Sequence, residues 1–396
     1  LRDPTARFTD DGYAYVVDPA APAAAAEQRP TPARAVAPLK QTFRLHSNPG
    51  ARRTIYLDFD GHDVRGTAWN SLVGVRAGRH AGWDPAGNGP RFSARELKMI
   101  QGVWARVAED YAPFAVDVTT QQPRADRIER KSRRDKTFGL RVLISGSRQA
   151  WDAICDQQCG GVSFVGAFKR VGKTHRRQQP SWVFPDGLRN DTKSVAEATT
   201  HEAGHTFGLV HDGGLLTSYY EGHGAWAPIM GAAYFRPITQ WSNGAYRYAT
   251  TRQDDVAIIA RSGAPFRADE AGGKPRSAKR GLPRGTAYIS RRSDVDVYRI
   301  GRCSGKVTVR ATNARVSPNL DIRLRLLRNG RPVATADPPS SRASRDRAGG
   351  MDATIRHRAG AGTYYVEVDG VGRGDASSAY NDYGSLGAYQ LQVRGC

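Results

Sequence analysis

The chain has 396 residues, 39% of them hydrophobic, and a net charge of +21. That length exceeds one ordinary core and suggests two domains with connecting material, while no apolar run is long enough to span a bilayer. The basic runs Arg124–Arg141, Lys169–Arg177 and Lys274–Arg284 lack the interleaved aromatics of a nucleic-acid surface, so solvated surface accounts for them and no specific nucleic acid is expected.

Residues 1–48 show no sustained periodicity, and Pro and Ala crowd Pro19–Pro38, which reads as a pro-segment or a tether. The segment contains no cysteine, so no thiolate from it could mask a metal. Beginning at Leu1 without a hydrophobic leader, the chain reads either as one whose signal peptide was removed or as a trimmed one.

Residues 49–267 form the first predicted domain. Thr54–Phe59 alternates as a strand. Ser93 and Glu96 make a capping box ahead of Leu97, Ile100, Val103, Trp104, Val107 and Tyr111 at helical spacing. Ala115–Thr119, Leu140–Ser145, Val162–Phe168 and Ser181–Phe184 read as strands. A second capping box, Ser194 with Glu197, is expected to open a helix bearing His201 and His205, and another helix is expected around Asp254–Ala260. This order suits a small twisted sheet backed by helices. Residues 268–284, rich in Gly, Pro, Lys and Arg, read as a linker.

Residues 285–396 are short β-rich runs separated by turn residues, Val295–Ile300, Lys306–Ala311, Ala353–His357 and Tyr364–Val368 among them, with Asn329-Gly330 as a strong hairpin signal, and point to an all-β sandwich. The four cysteines allow three pairings. Cys155 with Cys159 and Cys303 with Cys396 is the expected set, because each bridge then lies within one domain. Paired cysteines fit a secreted, extracellular protein.

Residues 201–212 read HEAGHTFGLVHD. His201 and His205 lie four apart, so one helical face presents both to a single zinc ion. Glu202 between them is the natural general base. Gly208 lets the helix stop and the chain turn back, and His211 arrives as a third nitrogen ligand. Three protein ligands leave a position for water, which makes a catalytic rather than a structural site. A structural zinc site would recruit cysteine, and the nearest, Cys159, is more than forty residues away. Glu221 is the competing third ligand, but that arrangement would leave Gly208 and Met230 unexplained.

The pattern H-E-x-x-H-x-x-G-x-x-H-D, with Ile229-Met230-Gly231 downstream, resembles the metzincin metalloproteases, and Asp212 brings it closest to the reprolysin/adamalysin type. The stretches Tyr56–Gly61, Val107–Phe114 and Gln240–Ser242 also resemble bacterial secreted relatives of that group. The resemblance implies an α+β catalytic domain with a mixed twisted sheet and backing helices. It further implies a Met turn at Met230 beneath the metal, and one catalytic Zn2+ on His201, His205 and His211. Gly208 and Asp212 would support the site. The strand Val162, Ser163, Phe164, Val165, Gly166 would pair antiparallel with a peptide substrate. The implied activity is a secreted zinc endopeptidase acting through a zinc-activated water, with Glu202 as general base. The alternatives are an idle zinc-fold adhesion protein and a zinc hydrolase of a non-peptide surface polymer.

Asp294-Val295-Asp296-Val297-Tyr298 resembles the pre-peptidase C-terminal domain of exported bacterial proteases, which implies a domain that binds extracellular matrix, cell-wall polymer or nothing. Asp294 and Asp296 offer ligands for Ca2+, but exposed strand-edge carboxylates are the commoner reading and nothing in the sequence supports the ion.

Overall fold

A computed structural model describes residues 3–22, 33–89, 91–156, 158–375 and 378–396. It is a mixed α/β protein with several sheets, including a sandwich-like β sheet in its C-terminal part. Residues 1–2 and 23–32 of the expected N-terminal extension lie outside the described residues.

The first large sheet runs in the order Ala6–Phe8, Ala14–Pro19, Cys159–Phe164, Ser181–Val183, Phe138–Ile144, Arg53–Asp58, Val116–Thr119. Its last four strands are parallel to one another, and Cys159–Phe164 runs antiparallel to its neighbours on both sides. The strands are apolar on both faces because both are covered. Along Phe138–Ile144, Phe138, Leu140, Val142 and Ile144 enter the core beneath the helices, while Leu143 joins Trp69, Phe164 and Trp182 on the opposite face.

Two helices back the sheet and pack on each other, Ala94–Asp110 and Thr192–Phe207. The first starts at the expected box: the Glu96 amide donates to Ser93 Oγ and the Ser93 amide to Glu96 Oε2. Ile100, Val103 and Val107 are fully buried, each such side chain contributing roughly 1.5–3 kcal/mol. The second helix corrects the expected start. Asp191 caps it by accepting from the Ser194 amide at 2.9 Å. Glu197 is instead paired with Lys193, one turn back on the same helix. Ser-x-x-Glu is a cap only when no better acceptor precedes it, and here Asp191 does. The third expected helix is Asp255–Arg261, capped by Asp254.

The supposedly irregular N-terminal extension contributes two strands, Ala6–Phe8 and Ala14–Pro19, to the first sheet. Short antiparallel strands on the rim of a sheet draw their order from the neighbouring ladder, so their own periodicity is weak.

In the C-terminal part, the pairs of runs expected as Val295–Ile300 with Lys306–Ala311, and Ala353–His357 with Tyr364–Val368, are single long strands, Val295–Asn313 and Ala353–Gly370. These pair with each other through register shifts at Arg299/Gly301 and Cys303/Gly305, where bulges bend the ladder. Asn329 and Gly330 both adopt positive φ, 50° and 82°, and join the antiparallel strands Ile322–Arg328 and Arg331–Ala336. Both expected disulfides are present, Cys155–Cys159 and Cys303–Cys396. The expected linker is not free chain throughout: Lys279–Arg280 pairs parallel with Tyr298–Arg299.

The two parts share buried polar contacts. Asn319 Nδ2 donates to Asp110 Oδ1 at 2.8 Å, Arg345 reaches both oxygens of Asp191 at 2.9 and 3.0 Å, and the Ala388 amide donates to Glu109 Oε1 at 3.2 Å. Burial pushes the Glu109 carboxyl up to about 8, against the Ala388 hydrogen bond that favours its charge. An unfolded carboxyl ionises near pH 4.3, about. Between these values the folded chain holds a proton that the unfolded chain releases, so stability falls as pH rises through the window and levels off above it. Thermal melts at about pH 6 and about pH 9 should therefore differ more for the native chain than for Glu109→Gln. Equal differences would remove Glu109 as a cause.

Candidate metal centre

The helix Thr192–Phe207 presents His201 and His205 on one face and ends where Gly208 takes φ 103°, its amide donating to the Gly204 and His205 carbonyls. That conformation suits only glycine without strain, and it turns the chain so that His211 returns to the same place. His205 Nε2 and His211 Nε2 are 3.1 Å apart, and the rings of His201 and His205 have centroids 4.8 Å apart. All three imidazoles are buried.

The outer nitrogens fix the tautomers. His201 Nδ1 donates to the Ile229 carbonyl at 2.9 Å, and His205 Nδ1 to the Leu209 carbonyl at 2.8 Å. A carbonyl can only accept, so Nδ1 of both rings carries a proton and the Nε2 atoms face inward. His211 Nδ1 lies 2.6 Å from Asp3 Oδ2. This outer shell of hydrogen-bonded second nitrogens is what metal-ligating histidines use for orientation.

Asp18, from the N-terminal strand, completes the cluster. Its Oδ2 is 3.2 Å from His201 Nε2 and 3.3 Å from His205 Nε2, and its Oδ1 is 2.9 Å from His211 Nε2. The four ligand atoms lie within 4.8 Å of one another. Asp18 Oδ2 and His201 Nε2 are buried with no hydrogen-bond partner. A carboxylate packed against three imidazoles out of water needs compensating positive charge, which protons on the rings or a metal ion supply, and three imidazoles with one carboxylate form a donor set that zinc accepts. Burial opposes the charge on Asp18, but the three imidazoles hold its carboxyl well below the usual range. Burial likewise works against charge on His211, yet Asp18 and Asp3 push it up to about 9. Burial lowers His205.

Glu202 points from the same helix towards the strand Cys159–Phe164. A Cβ on Gly161 would fall 2.2 Å from Glu202 Oε1, so glycine there makes room for the carboxyl. Both Glu202 oxygens are buried without a partner. Burial, and then the neighbouring Asp18 carboxylate, push its carboxyl well above the ordinary range.

Met230 is fully buried, and a Cβ on Gly204 would lie 2.7 Å from its sulfur, so the turn passes against the histidine helix. Asp212 is buried; its amide donates to the Met230 carbonyl at 2.8 Å, its carbonyl accepts from the Tyr220 amide, and Tyr246 Oη reaches its Oδ1 at 3.4 Å. It ties the His211 turn to the Met230 turn. Glu221 is exposed and outside the cluster.

The expected substrate strand Val162–Phe168 is corrected to Cys159–Phe164. Val162 and Phe164 turn to the core opposite the helices, and Ser163 and Gly161 turn to the Glu202 side. Val165 and Gly166 lie beyond the strand, because Gly166 at φ 72° donates its amide to the His205 carbonyl and opens a 3-10 turn. Nor is this strand a free edge: Ala14–Pro19 lies along it, with Tyr15 opposite Phe164, Val16 opposite Ser163, Val17 opposite Val162 and Asp18 opposite Gly161.

Sequence reasoning missed Asp3 and Asp18. Tyr219 Oη donates to Asp18 Oδ1 at 2.6 Å, and its ring centroid is 4.2 Å from that of His211. Only an antiparallel partner across the sheet brings Asp18 to the histidines, and no local pattern signals it.

Asp294 and Asp296, expected as exposed, are buried, because Val295–Asn313 begins inside the C-terminal sheet. With Asp269 they place carboxylate oxygens within 4.8 Å of one another. Burial pushes Asp296 up to about 8, against the hydrogen bond it accepts from Tyr389.

No protein-family model matches the chain, and no curated protein matches it. Among solved structures it is similar to the pre-peptidase C-terminal domain of collagenase from Bacillus anthracis: 17% identity, 31% of this chain, 100% of that one, TM-score 0.20. It is also similar to PliG of Aeromonas hydrophila, a periplasmic inhibitor of g-type lysozyme: 10% identity, 30% of this chain, 96% of that one, TM-score 0.19. Among the described residues, no helix is long and apolar enough to cross a membrane.

Proposed function

We propose that this chain is a secreted zinc-dependent endopeptidase of the metzincin, reprolysin-like type. The observation that carries the reading is the convergence of His201, His205 and His211 around one buried point, with carbonyl-fixed tautomers, beside an unpaired Glu202. His201, His205 and His211 would hold the ion. Zinc so held supplies a Lewis acid and an acidified water. Glu202 takes the proton of the attacking water on a carboxylate oxygen and passes it to the departing amide nitrogen. The strand Cys159–Phe164, paired on both sides in this structure with Ala14–Pro19 and Ser181–Val183, would align an extended peptide antiparallel only where Ala14–Pro19 gave way. Met230 and Asp212 hold the two turns against the histidine helix.

The β-rich C-terminal part is proposed as a pre-peptidase C-terminal-like domain, on the strength of the Asp294–Tyr298 pattern. It would serve attachment to extracellular or cell-wall polymer.

Metal analysis should find one zinc per chain. Casein hydrolysis should be abolished by 1,10-phenanthroline and restored by zinc, measured on both the native chain and Asp18→Ala, which opens the cluster. Metal-free protein, or turnover indifferent to the chelator, would sink the reading.

A further inference from the structure

Two of the three basic runs, separate in sequence, meet on one surface. The loop after Ala125–Ile128 lies against the short helix Gly172–Arg177. There the Gly172 amide donates to the Arg130 carbonyl at 2.7 Å, and the Arg130 amide to His175 Nδ1 at 3.2 Å. The Arg130 guanidinium also donates to the Lys169 carbonyl at 2.5 Å. Residues 124–136 and 169–177 together carry twelve Lys and Arg against three Asp and Glu. Lys131, Arg133, Arg134 and Lys136 on the loop, with Lys173 and Arg176 on the helix, are exposed. Among the described residues, none of these six forms an ion pair. The nearby acids are already engaged: Asp126 by Arg124 at 3.3 Å, and Asp135 by the Lys131 and Thr137 amides at 3.0 and 2.9 Å.

Solvation accounts for one isolated run but not for this convergence. Like charges held together repel one another, and an oppositely charged chain that covers them relieves the repulsion. Neighbouring groups feel it: burial, then Arg130, lowers Arg53 and pushes His175 down to about 4. Other anionic partners fit less well. Single-stranded nucleic acid needs exposed rings on which its bases stack, and among the described residues neither run exposes a large apolar or aromatic side chain. The same lack leaves nothing to enter a bilayer. A duplex is read by a helix long enough to lie in its groove, and Gly172–Arg177 has six residues.

We propose that this joined face is a binding site for a linear acidic polysaccharide. Charge complementarity carries the choice of a flexible polyanion. The choice of polysaccharide rests on the secreted reading above, since such polymers are the polyanions an exported chain meets. Eight of the twelve cations are arginines, whose planar fork pairs with oxyanions through two hydrogen bonds at once. The site does not involve the metal cluster, so polymer binding and peptide hydrolysis are separable.

The test measures binding of a labelled heparin decasaccharide to the full chain by fluorescence anisotropy. One variant joins Arg133→Ala, Arg134→Ala and Lys136→Ala on the loop with Lys173→Ala and Arg176→Ala on the helix. A control replaces the five Lys and Arg of Lys274–Arg284, also exposed, with Ala, removing the same charge elsewhere. Unchanged thermal melts check that both remain folded. The joined variant should bind at least about a hundredfold more weakly than the native chain, and the control within about threefold of it. The loop trio alone and the helix pair alone should each weaken binding by at least about tenfold.

Equal losses in the joined variant and the control would reduce the effect to net charge and overturn the site. Duplex DNA of equal charge, or phosphatidylglycerol vesicles, bound as tightly as heparin would overturn the polysaccharide. Heparin binding that persists in a chain without zinc or casein turnover would sink the peptidase and uphold this surface.

Discussion

Glu202→Gln should leave one zinc per chain and lower casein turnover by about 10²–10⁴-fold, the range for removing a general acid–base group. The substitution is nearly isosteric, so the close packing against Gly161 is kept. The side chain is not in the His/Asp cluster that could hold an ion, so metal content should not change. What is lost is the ability to take a proton and give it back. Comparison with His211→Ala separates the roles: that variant should lose the metal as well as turnover. Paired measurement of zinc content and initial rate checks both, and a Glu202→Gln protein that retains native turnover would exclude Glu202 as the base.

Loss of the Cys303–Cys396 bridge should destabilise the C-terminal part by about 4–5 kcal/mol, against about 2 kcal/mol for loss of Cys155–Cys159. The difference follows from loop length, since the bridges close separations of 93 and 4 residues. A cross-link acts chiefly by restricting the unfolded chain, and the longer loop loses more freedom. Structure adds to this. Cys303 lies at a register shift in Val295–Asn313, and Cys396 follows the strand Gly387–Arg394 that pairs with the same long strand. The far bridge therefore pins the chain's last strand at the point where its partner ladder is interrupted. Urea unfolding of Cys396→Ser and Cys159→Ser, followed by tryptophan fluorescence and circular dichroism, compares them. An equal or larger loss for Cys159→Ser would contradict the loop-closure account.

Legibility followed the range of the interaction. Ser93 with Glu96, Asn329-Gly330 and the stop at Gly208 were readable because each depends on dihedrals and hydrogen bonds within a few residues. The three histidines were readable for the same reason: one helical turn and one reversal bring them together. The start of the histidine helix was misplaced because two local signals competed, and Asp191 was the better acceptor. The long strands Val295–Asn313 and Ala353–Gly370 were read as pairs of short ones, because bulges interrupt the alternation without ending the ladder.

Local chemistry in the sequence determined the histidine trio, its neighbouring carboxylate and the turns that return His211, while the pairing of the cysteines followed from the division into domains. Tertiary structure alone decided that Asp18 and Asp3 face those histidines, that the strand beside them is already paired, and that Asp294 and Asp296 are buried. The reason is distance along the chain. Asp18 and His211 are 193 residues apart, and such pairs meet only through sheet register, which depends on the whole set of strands rather than on any short pattern.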